Sequence, residues 1–105
     1  MPLKYIIDKN KLIIKRPFKD LVIDLKNIKD TFLPTKESMR WTIRTFGNGG
    51  LFGYIGKFSN KTHGTMTWYA TKTSNYLILV TNDNKKIVLT PDNTEMIHEI
   101  KKLSN

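Results

Sequence analysis

The sequence contains no cysteine. A disulfide framework, a thiolate zinc site and a cysteine nucleophile are excluded together, so stability has to come from packing. Long hydrophobic runs are missing as well: apolar stretches such as Tyr76 to Val80 reach about a quarter of the roughly 20 residues that a membrane-spanning helix needs. No transmembrane segment is expected. Met1 to Tyr5 holds one lysine but no apolar core or small-residue cleavage site, so it does not read as a secretory signal. The expected setting is cytoplasmic, with peripheral attachment at the inner membrane face as the other option. Acidic residues are scarce, 6 Asp and 3 Glu against 15 Lys and 3 Arg, for a net charge of +9. That balance admits nucleic acid, anionic lipid or an acidic protein as partner.

What is present suffices for a folded core. Hydrophobic residues make up 39% and aromatics 10% of 105 residues, which argues against a disordered basic tail and for a single domain spanning 1–105. Short β-type runs alternate with polar turn clusters. Tyr5-Ile6-Ile7 and Leu12-Ile13-Ile14 flank the turn Asp8-Lys9-Asn10-Lys11, whose residue types suit a hairpin. Leu21, Ile23 and Leu25 share one face of a third strand. Residues 26–38 show no sustained period and read as an irregular connection with room for one helical turn. Met39 to Thr45 alternates, which predicts a fourth strand with Met39, Trp41 and Ile43 inward and Arg40, Thr42 and Arg44 outward.

Gly64 to Thr71 repeats that pattern with Met66, Trp68 and Ala70 inward, and Tyr76 to Val80 and Lys86 to Leu89 supply strands six and seven. After Thr90 the period changes. Pro91, Asp92 and Asn93 are helix-start signals, Lys101 and Lys102 suit a helix end, and Met96, Ile97, Ile100 and Leu103 form one apolar stripe. The expected architecture is mainly β: a strongly bent sheet or partly open barrel of about seven antiparallel strands, capped by a C-terminal helix whose stripe meets Trp41, Trp68 and Ile78.

Five of the six glycines fall between Gly47 and Gly56. The segment is no dinucleotide fingerprint, since Phe52 stands where the third glycine belongs, and no P-loop, since Gly56-Lys57 is followed by Phe58. Two readings remain: glycines permitting sharp bulges between strands, or a partner-binding loop that displays Phe52 and Tyr54.

The stretch from Ile43 to Phe58, with Gly64, the Trp68-Tyr69-Ala70-Thr71 strand and the Ile87-Val88-Leu89-Thr90-Pro91-Asp92 approach to the helix, resembles bacterial pleckstrin-homology-like (PH-like) domains. The resemblance covers roughly residues 40–103; the first 39 match in strand pattern alone. It implies a PH-like fold of seven strands and a capping helix, and it brings no catalytic residues, no cofactor and no settled ligand.

Read residue by residue, the chemistry points away from catalysis. His63 and His98 lack metal-ligand spacing and read as exposed polar residues. Asp8, Asp20, Asp24 and Glu37 read as solvated surface charge, and Ser38, Ser59 and Ser74 have no nucleophile-elbow pattern around them. With the tryptophans assigned inward, an oligonucleotide-binding sheet is disfavoured. The expectation is a non-catalytic module with no metal or cofactor, binding a protein partner or a second copy of itself through Leu51, Phe52 and Tyr54. The alternative is electrostatic binding of anionic lipid headgroups or nucleic acid through Arg40, Arg44, Lys57 and Lys61, nucleic acid being the less favoured because lysine outnumbers arginine.

Overall fold

A computed structural model of the chain describes residues 3–16, 19–48 and 54–104. Strands β1 (Lys4–Asp8), β2 (Lys11–Lys15) and β3 (Leu21–Asp24) form an antiparallel three-stranded sheet in that order. A 3-10 turn over Leu25–Asn27, capped by Asp24 accepting from the Lys26 amide at 3.0 Å, leads into β4 (Ile28–Phe32). Then come helix α1 (Lys36–Met39), β5 (Ile43–Asn48), β6 (Tyr54–Asn60), β7 (Gly64–Ala70), β8 (Leu77–Thr81), β9 (Lys86–Leu89) and helix α2 (Thr94–Leu103). The last six strands make one sheet in the order β4-β8-β9-β7-β6-β5.

The mainly β, open-sheet architecture with a C-terminal helix agrees with the sequence reading, but nine strands among the described residues replace seven. The two additions are β4, within the undecided segment 26–38, and β6, which starts at the end of the glycine-rich segment. Glycine hides strand character in a sequence pattern, yet Gly56 stands in register between Gly47 and Trp68 at φ +137°. Only a residue without Cβ occupies that backbone region comfortably. The sheet is also not wholly antiparallel. The β8–β9 hairpin inserts so that β9 lies beside β7, and that pair is parallel.

The centre of the six-stranded sheet is buried on both faces, since β8 and β9 carry apolar residues at successive positions. Leu77, Leu79 and Leu89 face a first core cluster with Leu12 and Ile14 of β2, Leu25, Ile28 and Ile100 of α2. Met39, Phe58, Met66, Trp68, Ala70, Ile78 and Val88 form a second cluster. The Tyr5 hydroxyl ties the two sheets together: it donates to the Tyr69 carbonyl and accepts from the Thr90 amide. Burial raises its pKa above the ordinary tyrosine value.

Two expectations are corrected here. The α2 stripe of Met96, Ile97, Ile100 and Leu103 packs on the first cluster, whereas Trp68 and Ile78 lie in the second. Trp41 lies in neither: it is 86% exposed. The alternation over 39–45 breaks because Thr35 starts a helical turn, its hydroxyl accepting from the Ser38 amide at 3.1 Å. Strand geometry resumes only at Ile43, which is itself exposed.

Candidate functional site

The corner between α1 and β5 concentrates the exposed apolar groups. Leu33, Trp41 and Ile43 are three of the four large hydrophobic residues exposed among the described residues. Trp41 also adopts φ +61°, a left-handed backbone conformation that a bulky L-residue enters at a cost of about 1–2 kcal/mol. A residue both strained and solvated gains nothing locally from its position. The surroundings therefore have to hold it there.

They do so through Asn60 at the end of β6. Its Nδ2 donates to the Ser38 carbonyl at 3.0 Å and to Thr42 Oγ1 at 2.9 Å, and its Oδ1 accepts from the His63 amide at 2.7 Å. Thr42 Oγ1 donates onward to the Met39 carbonyl at 2.7 Å. Ser38 Oγ donates to the Thr35 carbonyl at 2.8 Å, so His63 Nε2, 3.0 Å from Ser38 Oγ, is the donor in that contact. One amide side chain thus fastens both ends of the Trp41 turn to the β6–β7 turn. Asn60→Ala removes three of these bonds and should cost about 2 kcal/mol, read as a lower urea midpoint at unchanged slope.

His63 is half-buried, its ring 5.8 Å from that of Phe32, which corrects the expectation of an exposed side chain. Its pKa is lowered from the ordinary value of 6.5 by burial and then by the Lys86 charge. Below pH 6.5 the unfolded chain takes up the proton first, so stability is complete above that pH and declines as pH falls through the window beneath it. Thermal midpoints at pH 7.5 and 5.5 should differ more for the wild type than for His63→Gln.

The sequence-selected cations share no common partner. Arg40 pairs with Glu37 at 3.3 Å, both side chains well exposed, a contact contributing little to stability. Lys57 donates to Thr67 Oγ1 at 2.9 Å, while Arg44 and Lys61 are exposed on β5 and in the β6–β7 turn. Arg40 and Arg44 flank Trp41 in the chain. Of the selected loop residues, Leu51 and Phe52 lie outside the described residues. Tyr54 opens β6, half-buried against the second cluster. In that cluster Trp68 stacks on Phe58 at 4.3 Å, and its Nε1 is buried without a hydrogen-bond partner among the described residues.

Beside α1 runs a groove of about 780 Å³ whose walls include Leu33, Met39, Tyr76 and Ile97, with Lys36 and Arg40 among them. Among the described residues, no group of three or more His, Cys, Asp or Glu could hold a metal ion, and no helix is long and apolar enough to cross a membrane. The sequence matches the family model described as Bacterial PH domain over residues 3–103. The chain belongs to the bacterial PH domain family. No curated protein and no solved structure matches it. In this PH domain the exposed α1–β5 corner is the feature that sequence pattern missed, and Thr35 with Pro34, a helix-start pair placed before Trp41, was the signal that could have found it.

Proposed function

We propose that this PH domain is a non-catalytic protein-docking module whose partner surface is the α1–β5 corner, with Trp41 as its anchor. The supporting observation is the strained, 86% exposed tryptophan, held by a built hydrogen-bond network and flanked by Arg40 and Arg44. Tryptophan and arginine are the residue types that most often dominate binding energy at protein interfaces. Lys61, exposed in the β6–β7 turn that Asn60 and His63 tie to this corner, belongs to the same proposed surface.

Photo-cross-linking in cells tests this reading, with benzoylphenylalanine at position 41 and at Lys102 as a control site. A discrete protein adduct from position 41 alone is expected, weakened by Arg44→Glu. Equal labelling from both sites would reject it. A second reading draws on the same tryptophan, since an aromatic between two arginines also suits an anionic lipid surface or nucleic acid. It predicts salt-sensitive retention on phosphatidylglycerol vesicles or heparin that Trp41→Asn reduces. Retention on neither ends it.

A further inference from the structure

The two sheets end in four edge strands, β1, β3, β4 and β5. Edge strands present unpaired backbone donors and acceptors, and proteins blunt them with shortness, charge or cover. β3 is four residues long. β1 is fastened by Tyr5 and ends on Lys4 and Asp8. β4 carries Lys29 and Asp30 at its centre and lies beside α2. β5 is the longest of the four at six residues, with one charged side chain, Arg44, and with exposed Ile43 at its start. Among the described residues its one strand neighbour is β6, and its outer side makes no backbone hydrogen bond to them.

We propose that the outer edge of β5 is a strand-addition site for an extended acidic segment of a partner protein, with Trp41 and Ile43 receiving its apolar side chains. The inference rests on the protein-docking reading and specifies its mode. Strand addition draws affinity from main-chain hydrogen bonds and specificity from alternate side chains, and β5 supplies both, an open backbone edge and an apolar anchor at its beginning. The charge decides the occupant. Arg44 lies beside the anchor, Arg40 there is paired with Glu37, and the chain as a whole carries +9, so carboxylates are attracted while a second copy is repelled.

The test titrates the intact protein with a soluble peptide alternating glutamate and valine, followed by amide NMR, hydrogen exchange and tryptophan emission. Controls carry lysine in place of glutamate or proline in place of the central valines. The acidic peptide should perturb residues 41–48, slow exchange of the β5 amides and shift Trp41 emission to the blue. Trp41→Asn should weaken it about thirty-fold, and neither control should bind. Perturbation at the groove beside α1 instead, equal binding of the lysine peptide, or no response up to millimolar peptide overturns the inference. So does a blue shift on phosphatidylglycerol vesicles without one on the peptide, or a dimer by light scattering. A position-41 protein adduct without protection of β5 rejects strand addition and leaves protein docking standing, whereas loss of both rejects both.

Discussion

Trp41→Asn should hold or raise the stability of this PH domain while weakening partner binding about thirty-fold. The two effects separate because they have different origins. In the folded state Trp41 sits at φ +61° with 86% of its surface in solvent, so little packing is lost when its ring is removed. Asparagine enters the left-handed region far more readily than a bulky aromatic, and the relief is worth up to about 1 kcal/mol. In a complex the same ring would be desolvated against the partner, and truncating a central aromatic anchor costs about 2 kcal/mol or more. Urea titration and peptide anisotropy on the same samples measure both. A clear drop in the urea midpoint would assign Trp41 a structural role and remove it from the docking surface. The combination of neutral stability with lost binding is the mark of a residue kept for function.

Ile100→Ala should destabilise the domain by about 3–4 kcal/mol, the largest stability loss expected of any change considered. Ile100 is fully buried in the first cluster and is the one fully buried residue of α2. Helix α2 is 10 residues long, too short to persist alone in water, so its helicity depends on this contact. Loss of the side chain leaves a cavity in the first cluster, and only the partly buried Met96, Ile97 and Leu103 remain to hold the helix there. Chemical denaturation and far-ultraviolet dichroism check the value and the helix content. A loss below about 1 kcal/mol would mean that the cluster collapses around the gap. Corner and helix are built separately, so the Trp41 and Ile100 effects should add.

The strands that read clearly in the sequence are those whose alternation faces one core. In β2, Leu12 and Ile14 point inward while Lys11 and Lys15 remain exposed, and Met66, Trp68 and Ala70 of β7 are buried as their alternation predicts. The α2 stripe was equally legible, since an amphipathic period survives whatever it packs against. β6 is obscured because it starts in the glycine-rich segment and Gly56 within it carries no hydropathy signal. The partners of α2 are not legible in the pattern, because successive buried residues in β8 leave open which of them faces which layer.

The sequence by itself determined the bacterial PH domain assignment, the mainly β content and the C-terminal helix, through local periodicities that any packing must respect. It also determined the basic charge and the lack of cysteine chemistry. Only the tertiary structure decided which side of the molecule Trp41 occupies. One helical turn capped by Thr35 and one left-handed residue shift the side-chain phase between Met39 and Ile43, and Asn60, distant in sequence, stabilises that shift. A period-two pattern cannot register a change of phase imposed by a hydrogen bond from another strand, and here that bond places the candidate anchor in solvent.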